Sequence, residues 1–463
     1  MRPQLTPAEA ARFSRKLVLG DAGTCSRPST KTRLFVTSGD GDNNSFTTLQ
    51  AAIDAAVVIS RGSPADITIE MDAGIHYGPA IVPTLELKNP LFLTITGKGS
   101  DKTILSANTH ARLTGVDYAR TFGSLFENSP AEVRSIYREI ISHNEISTGN
   151  SCVLRVAAPE TRLSDFAIIN SYNCDRTKDH PPEPGASRNE DGQWSDETHQ
   201  AVALMLSDAD GTRCTNLHLQ SYQDTLYLNQ SQHGAVARYF FTGSTIEGDV
   251  DFVFGPATAY FERCELISLG HRSQNSWVTA PSTPIDQAYG FVFTNGRFSN
   301  DRVGAAVEGR FKLGRQWFTG VRLTPYRTCT ETEYKCRLGH ENRFDPPDGT
   351  ITDWTLKAVG KCVVIACEIG SHIDPNTPWD DWKGSEYQAD GSRMERRWSP
   401  WFRPVQYKIS DVANNLMDWT DVPNLKLEQY HDGILLGEFN NFFLADLIFS
   451  DEIVSNRIAN DRD

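Results

Sequence analysis

Three short stretches decide how this chain folds: Gln200-Ala-Val-Ala-Leu204, Gln223-Asp224-Thr-Leu-Tyr227 and Gly248-Asp-Val-Asp251-Phe-Val-Phe-Gly255. Each is an apolar, β-prone run that carries glutamine or aspartate. A buried polar group without a partner is costly, and a buried charge is more so. Turns and loop caps explain most isolated Asp and Gln. They do not explain why Gln200, Gln223, Asp224 and Asp251 all lie in such runs. Arg315, in Leu313-Gly-Arg315-Gln-Trp317, adds a fifth polar residue of this kind.

The spacing of these stretches indicates a solenoid. Strand-like runs recur at intervals of about 20–25 residues with no long helices between them, which argues against a doubly wound α/β fold. A β-sandwich, a propeller and a parallel β-helix remain, and the interval fits one coil of a β-helix. On that scaffold, Gln200, Asp224 and Asp251 stack on adjacent coils and can share one face.

The residue types suit ester chemistry. One carboxylate can attack an ester carbonyl, while a second, protonated carboxyl donates to the departing alcohol and then takes a proton from water. Two side-chain amides can donate hydrogen bonds to the oxyanion that develops. A guanidinium can hold the attacking carboxylate ionised and oriented.

The motifs also resemble those of a known family. Those containing Gln200, Gln223, Asp251 and Arg315 occur in the order of the pectin methylesterase (pectinesterase) signature set. Thr279-Ala-Pro-Ser-Thr283 and Tyr289-Gly-Phe-Val-Phe293 resemble the family's bacterial branch, and the similarity extends over about residues 33–320. The resemblance implies an all-β, right-handed, single-stranded parallel β-helix of the pectin-lyase type, with short terminal helices and long loops.

The resemblance implies a role for each site residue. Asp251 would be the nucleophile, Asp224 the acid and then the base, and Arg315 the partner of Asp251. The oxyanion donors would be Gln200 and Gln223, and the residues facing the sugar would be Phe254, Trp317 and Tyr227. Gln316 stands where the family usually has proline, which fixes the backbone, so the orientation of Arg315 and Trp317 is left open.

The implied activity is hydrolysis of galacturonate methyl esters of pectin to pectate and methanol through an aspartyl acyl-enzyme, without a cofactor. The implied partner is methyl-esterified homogalacturonan, and the implied state is a monomer. Two alternatives remain open. One is a β-helix esterase or thioesterase acting on a different substrate, since a fold does not define a substrate. The other is a non-catalytic polysaccharide-binding protein.

Composition limits the classes of molecule that this protein is expected to bind. The net charge of −14 argues against nucleic acid or an anionic membrane, and it also repels polygalacturonate. We therefore expect a preference for esterified stretches, with local basic residues offsetting the global charge. The nine cysteines lack the paired short spacings of a metal cluster, so no metal is expected. Cys329 and Cys336 are expected to close a small disulfide loop, and Cys362 and Cys367 to flank a buried strand.

Location is inferred from the N-terminus and the family's polymer. No run of about 18 apolar residues is present, so no transmembrane helix is expected. The first residues also lack the apolar core of a signal peptide. Because pectin lies outside cells, we expect a secreted, periplasmic or cell-surface protein whose signal peptide is absent from this sequence.

Three regions are predicted along the chain. Residues 1–32 form an N-terminal extension whose short helix, over 5–20, starts at a Thr6 and Glu9 capping box and caps the solenoid. Residues 33–410 form the catalytic β-helix. Residues 411–463 form a tail that packs on the solenoid, with a closing helix over 439–460.

Three inserts interrupt the strand pattern: 118–150, 174–199 and 322–356. Long loops in compact proteins tend to be functional or disordered, so we expect these inserts to lie beside the groove and select substrate. The C-terminal part is rich in tryptophans that suit both sugar stacking and packing of the tail, and the sequence leaves both open: Trp379, Trp382, Trp398 and Trp401.

Strand geometry places two conditions on the site. Neighbouring strand residues point to opposite faces, so Gln223 and Asp224 can share one site only if the chain bends or bulges there. By the same alternation, Asp251 is expected to point away from Phe252 and Phe254. Its role as nucleophile then requires the strand to end near Gly255.

Overall fold

The structure is a computed structural model that describes residues 2–29, 31–37, 44–85, 90–172, 200–231, 237–270, 272–318, 358–387, 393–403 and 433–444. Within these residues, three long sheets of 11, 9 and 8 strands run along the molecule, and we call them sheets 1, 2 and 3. Their strand pairings are parallel. From Ala65 onward the chain visits sheets 1, 2 and 3 in turn, coil after coil. This confirms the predicted parallel β-helix.

The strand bounds are as follows. Sheet 1 contains Lys31–Val36, Ser45–Phe46, Ala65–Met71, Leu91–Thr96, Arg162–Ser164, Arg213–Thr215, Arg238–Thr242, Thr258–Glu262, Phe291–Thr294, Cys362–Ile365 and Leu436–Phe439. Sheet 2 contains Gly74–Tyr77, Thr103–Ala107, Ala167–Asn170, His218–Gln220, Thr245–Gly248, Glu265–Ser268, Arg297–Asn300, Glu368–Ile369 and Phe442–Phe443. Sheet 3 contains Ala80–Val82, Leu154–Val156, Leu204–Ser207, Leu226–Asn229, Val250–Gly255, Trp277–Pro281, Lys312–Arg315 and Trp379–Asp380. An antiparallel hairpin pairs Trp382–Tyr387 with Arg393–Trp398.

A residue with positive φ turns the chain from sheet 1 to sheet 2 in successive coils. The set is Asp165, Asn216, Gly243, Arg263, Asn295, Ala366 and Asn440, with φ between 51° and 61°. Asn, Asp and Gly tolerate this left-handed conformation best, and they supply five of the seven. The turn explains why a run such as Tyr260–Ile267, which looks like one strand in sequence, is divided between Thr258–Glu262 and Glu265–Ser268.

The core lies inside the coils, where equivalent side chains stack from one coil to the next. Phe241, Phe261 and Phe293 form one such column, with ring centroids 4.9 and 4.4 Å apart. All three are buried. Burying a side chain of this size contributes about 1.5–3 kcal/mol, so repetition along the axis stabilises the whole solenoid.

The described part of the chain also contains six short α-helices and one 3₁₀ turn. The helices are Pro7–Ala11, Arg15–Leu19, Leu49–Ser60, Gly115–Phe126, Ala131–Ile141 and Ser147–Asn150, and the 3₁₀ turn is Gly304–Val307. Leu49–Ser60 starts at Thr48, whose side chain accepts a hydrogen bond from the Ala51 N–H. It packs on the first strands of the solenoid and buries Ile53 and Val57 there.

The N-terminal segment differs from its predicted form. The capping box of Thr6 and Glu9 is present, but two short helices replace the single helix predicted over 5–20. They lie on the outer face of sheet 1, where Phe13 and Leu19 pack in a cluster with Tyr260. The helix over the first coil is therefore Leu49–Ser60. Its uninterrupted apolar face covers the core strands better than two five-residue helices can.

The C-terminal part also differs from the predicted boundaries. Leu436–Phe439 and Phe442–Phe443 extend sheets 1 and 2, so the solenoid continues beyond residue 410. Phe442–Phe443 is a strand, so the helix predicted over 439–460 does not begin at 439, whereas Leu444, the last described residue, is helical. The inserts 174–199 and 322–356, the Cys329–Cys336 loop and the residues after 444 lie outside the described residues.

Two sequence expectations concern cysteines and membrane spans. Cys362–Ile365 is a buried strand, as predicted, and Cys367 beyond it is buried too. The cysteines that the structure describes are free thiols at 25, 152, 214, 264, 362 and 367. No helix in the described ranges is both long and apolar enough to span a bilayer.

Candidate active site

The centre of the site is a two-bond ion pair between Arg315 and Asp251. Arg315 Nε donates to Asp251 Oδ1 at 3.0 Å, and Nη2 donates to Oδ2 at 2.7 Å. The two side chains are 13% and 17% exposed. They lie on sheet 3 strands that are separated only by Trp277–Pro281. A planar guanidinium fork in this geometry holds a carboxylate in a fixed orientation.

A bulge aims Asp251 at the groove. Asp251 has a φ of +50°, and the pairing of its strand with Trp277–Pro281 shifts register between Val250 and Val253. The bulge resets the alternation, so Phe252 and Val253 enter the core while Phe254 faces the same cavity as Asp251. The expectation that Asp251 points away from Phe254 was therefore wrong. The strand does end at Gly255, as the assignment required.

The predicted bend at Gln223 and Asp224 is confirmed. Asp224 has a φ of +66°, and both side chains line one cavity. The Ala201 N–H donates to the Gln223 carbonyl at 3.1 Å, and Gln200 and Gln223 form a parallel bridge. The Asp224 N–H donates to the Val250 carbonyl, also at 3.1 Å. Three successive coils therefore bring the polar residues into register on one face.

The cavity has a volume of about 240 Å³. It is lined by Ser147, Thr148, Gly149, Gln200, Gln223, Asp224, Tyr227, Asp251, Phe254, Ala280, Trp317 and Trp382. Seven of the eight residues predicted for the site belong to this lining. The eighth, Arg315, lines a neighbouring cavity and reaches the site through Asp251.

The sequence did not identify five of the lining residues. Ser147, Thr148 and Gly149 belong to the 118–150 insert, which forms helices at the groove's rim as predicted. Ala280 lies in the Thr279–Thr283 motif, and Trp382 in the C-terminal tryptophan cluster. For Ser147, Thr148, Gly149 and Ala280 the signal was membership of an insert or motif, whereas Trp382 was considered for sugar stacking but was not assigned to the site.

Aromatic rings form one wall of the cavity. The rings of Tyr227 and Phe254 stack with centroids 4.4 Å apart and an interplanar angle of 7°. Trp317 lies 6.1 Å from Phe254 at a tilt of 55°. Trp382 packs edge-on against Phe318 and is 3% exposed. Flat apolar faces therefore stand beside the polar groups.

The structure shows the surroundings of two of the C-terminal tryptophans. Trp379 is buried and donates from Nε1 to Glu438 Oε1 at 3.1 Å, so it packs within the solenoid. Trp382 both packs and lines the cavity. The side chain of Trp398 lies outside the described part of the molecule.

Charge and burial set the protonation of two side chains here. Burial lowers the pKa of Arg315, but the charge of Asp251 and the hydrogen bonds to it outweigh this, and the net shift is upward. The guanidinium also lies 3.8 Å from the ring centre of Trp277, whose Nε1 donates to Asp380 Oδ2 at 2.8 Å. Burial, followed by the charge of Asp224, raises the pKa of Tyr227 to about 12. Tyr227 is therefore a neutral phenol at neutral pH.

Gln316, which stands where the family usually has proline, holds the segment by side-chain hydrogen bonds. Its Nε2 donates to the carbonyls of Val359 and Gly360 at 2.8 and 3.0 Å, and its Oε1 accepts from the Trp401 N–H at 2.6 Å. It is 1% exposed. Next to it, the Trp317 N–H donates to the Pro281 carbonyl at 2.8 Å. Three bonds thus replace the rigidity of a proline ring.

Gln316→Ala is expected to lower the free energy of unfolding by about 2–3 kcal/mol, because it removes three buried hydrogen bonds worth about 1 kcal/mol each. The shift in the thermal unfolding midpoint measures this effect. Gln274→Ala, at an exposed position, serves as the control and should shift stability by less than about 0.5 kcal/mol. Equal midpoints for the two variants would show that Gln316 has no bracing role.

A second, more polar cavity of about 350 Å³ adjoins the first at Gln223. Its lining includes Arg315, Asp380 and Asp381, together with Lys383 and Arg397 from the hairpin. Trp382 and Lys383 are neighbours on one strand, and they line the first and second cavities respectively. No group of three or more His, Cys, Asp or Glu side chains in the described part of the chain could hold a metal ion.

Arg315→Ala is expected to lower kcat by about 100-fold, because the Asp251 carboxylate then loses the two hydrogen bonds that orient it. Arg315→Lys keeps the charge but loses the two-bond fork, and should give an intermediate kcat. Steady-state kinetics on methyl-esterified pectin measures both effects. A parent-like kcat in Arg315→Ala would rule out this role.

The fold is a parallel β-helix, and similarity to known proteins identifies a hydrolase of the carboxylic-ester class. A sequence model described as Pectinesterase matches residues 188–324. A pectinesterase of Sitophilus oryzae is 31% identical over 364 residues, covering 78% of this chain and 86% of that protein. Pectinesterase B of Dickeya dadantii is 27% identical over 349 residues, covering 70% and 75%. The solved structure of rice weevil pectin methyl esterase matches with a TM-score of 0.64 at 25% identity, covering 96% of this chain and 97% of that one. The chain belongs to the pectinesterase family.

Proposed function

We propose that this protein hydrolyses the galacturonate methyl esters of pectin to pectate and methanol, with Asp251 as the nucleophile. One observation supports this above the others. The Asp251 carboxylate is held by two bonds from Arg315 at the wall of a cavity that also contains Asp224, Gln200 and Gln223. A nucleophile, a proton carrier and two amide donors are the groups that ester cleavage needs.

In the first half-reaction, an Asp251 oxygen bonds to the ester carbonyl carbon, and the carbonyl becomes an oxyanion. The side-chain amides of Gln200 and Gln223 donate hydrogen bonds to that oxyanion. Collapse breaks the bond to the methoxy group, which takes a proton from Asp224 and leaves as methanol. Asp224 is 8% exposed and lines the same cavity as Asp251, so it lies where the departing methoxy group can take its proton.

In the second half-reaction, Asp224, now a carboxylate, takes a proton from water. The resulting hydroxide attacks the galacturonoyl carbon of the acyl-enzyme, and the bond to Asp251 breaks. Asp251 recovers its charge and its pairing with Arg315, while the product leaves as a carboxylic acid that ionises in solvent. Arg315 is paired with Asp251 in the resting site and is the cation that receives the returning charge.

The substrate and setting follow from charge and from the family's polymer. The protein carries a net charge of −14, so esterified and therefore less charged pectin is the preferred partner. Beside the groove, the second cavity is lined by both signs of charge, with Lys383 and Arg397 facing it together with Asp380 and Asp381. We propose that the protein acts as a monomer, without a metal, outside the cytoplasm, where pectin is found.

Product analysis tests this function. The parent protein, incubated with highly methyl-esterified pectin and a divalent-cation chelator, should release one methanol for each new carboxylate. Pectin stripped of methyl groups beforehand provides the control and should release none. If no methanol appears, the favoured hypothesis becomes a β-helix esterase or thioesterase that acts on a different substrate. A panel of other carboxylic esters and thioesters would then identify that substrate. Binding without any turnover would instead indicate a polysaccharide-binding protein.

A further inference from the structure

A buried ion pair lies directly beneath the nucleophile's turn. Arg272 Nε donates to Asp249 Oδ2 at 2.7 Å, and Nη2 donates to Oδ1 at 2.6 Å. The side chains of Arg272 and Asp249 are 1% and 0% exposed. Neither residue lines the catalytic cavity. Nothing in the reaction described above uses this pair.

The side chains of the pair reach one turn of the site by a hydrogen bond and the other by a ring contact, and a main-chain hydrogen bond of Asp249 adds to the second. Asp249 Oδ1 accepts from the Val250 N–H at 2.7 Å, and Val250 immediately precedes Asp251. The Asp249 N–H donates to the Tyr222 carbonyl at 3.0 Å, and Tyr222 immediately precedes Gln223. The Arg272 guanidinium also lies over the Tyr222 ring, 5.2 Å from its centre. The pair therefore joins the turn that carries the nucleophile to the turn that carries an oxyanion donor.

Both turns need such support, because each holds an aspartate in a left-handed conformation. Asp224 and Asp251 have φ of +66° and +50°. Such a conformation is unfavourable for a residue with a side chain, and it persists only where the surroundings enforce it. Packing is tight here: a Cβ added to Gly248 would lie 2.2 Å from the Phe252 Cβ.

Stability alone does not account for two buried charges at this place. Well-packed apolar residues of similar volume can often replace a buried ion pair with no loss of stability, and sometimes with a gain. Apolar residues cannot reproduce the hydrogen bond that Asp249 accepts from the Val250 N–H. Nor can they reproduce the guanidinium of Arg272 over the Tyr222 ring. A role in geometry explains the pair better than a role in stability.

We propose that Asp249 and Arg272 are positioning residues that hold the backbone of the Asp251 and Gln223 turns in the geometry that catalysis needs. This inference rests on the proposed function. Misplacing a reacting group by about 1 Å can cost about 100-fold in rate. Loss of the pair should therefore lower kcat and leave KM nearly unchanged, because the pair contacts the turns of the reacting groups and does not contact the aromatic wall of Tyr227, Phe254 and Trp317.

The decisive variant removes both charges. In Asp249→Leu/Arg272→Met, the unfolding midpoint should lie near that of the parent, whereas kcat on methyl-esterified pectin should fall about 10- to 100-fold. Arg272→Met alone leaves Asp249 buried and unpaired, and should lower the midpoint strongly. Arg272→Lys keeps the charge without the fork and should give an intermediate kcat. Activities are compared well below every midpoint.

A matched pair away from the groove provides the control. Arg27 Nη1 donates to Asp66 Oδ1 at 3.0 Å, and these side chains are 10% and 8% exposed. Asp66→Leu/Arg27→Met should retain the parent kcat.

The outcomes separate the two claims. Parent-like kcat in both Asp249→Leu/Arg272→Met and Arg272→Lys would overturn the inference and leave the proposed function intact. If the double variant does not fold, the kcat of Arg272→Lys alone decides. The parent protein failing to release methanol would overturn the proposed function itself, and the inference with it.

Discussion

Asp251→Asn is expected to lower kcat for methanol release by at least about 10⁴-fold. The amide is close in shape to the carboxylate, but it is a poor nucleophile and cannot form the acyl-enzyme. Binding should survive, because the aromatic wall of Tyr227, Phe254 and Trp317 is untouched. Single-turnover methanol release, together with a dissociation constant for a methyl-esterified oligogalacturonide, measures the two effects separately.

The chain offers a closely matched control. Arg238 binds Asp210 through Nε and Nη2 at 3.0 and 2.7 Å, the same distances as between Arg315 and Asp251. That pair belongs to the sheet 1 side of the solenoid and does not line the catalytic cavity. Asp210→Asn should keep the parent kcat. Equal losses in Asp210→Asn and Asp251→Asn would mean that a structural defect, and not lost chemistry, explains the result.

The second large effect concerns the two glutamines. Gln200→Ala and Gln223→Ala are each expected to lower kcat by about 10²–10³-fold with little change in KM. The reason is that an oxyanion exists only after the nucleophile has attacked, so donors aimed at it stabilise the transition state more than the bound ester. Steady-state kinetics on a methyl-esterified oligogalacturonide separates the two parameters.

Two further variants sharpen this test. Gln223→Glu keeps the size of the side chain but replaces its N–H donors with a negative charge, so it should be at least as damaging as Gln223→Ala. Gln220→Ala, on sheet 2, lies away from the groove and should leave kcat unchanged. A rise in KM at constant kcat for Gln200→Ala and Gln223→Ala would assign these glutamines to ground-state binding instead.

The fold was predictable where local pattern and repeat length agree. Strand-like runs at intervals of about one coil, without crossover helices, left three architectures, and the resemblance chose among them. The helix capping box at Thr6 was readable because it depends on residues three apart. The position of that helix on the solenoid could not be predicted from the sequence. Whether it covers an end or a side of the solenoid depends on contacts with Tyr260, which lies far along the chain.

The left-handed turns mark the limit of strand periodicity. A period of two predicts opposite faces for neighbouring residues, and it holds only while the backbone stays extended. It predicted correctly that Gln223 and Asp224 need a bend. It failed at Phe254, because the bulge after Val250 shifts the count of residues. A bulge depends on the register of two strands, and one strand's sequence does not contain that information.

Other parts of the site had no local signal. Arg272 reads as an ordinary loop arginine, and only the folded chain shows that it is buried against Asp249. Gln316 reads as a departure from a family motif, and its three hydrogen bonds involve residues that are 43 to 85 positions away. Such contacts are set by which coils lie next to each other, and spacing alone does not specify them.

The measurement that tests the central claim most directly is the position of ¹⁸O in the products. The parent protein would turn over methyl-esterified trigalacturonate in H₂¹⁸O with a chelator present, beside Asp251→Asn. Attack on the carbonyl carbon, followed by hydrolysis of the acyl-enzyme, predicts unlabelled methanol and one ¹⁸O in each new carboxylate. It also predicts almost no product from the variant. Labelled methanol, or equal product formation by Asp251→Asn, would contradict acyl transfer through Asp251.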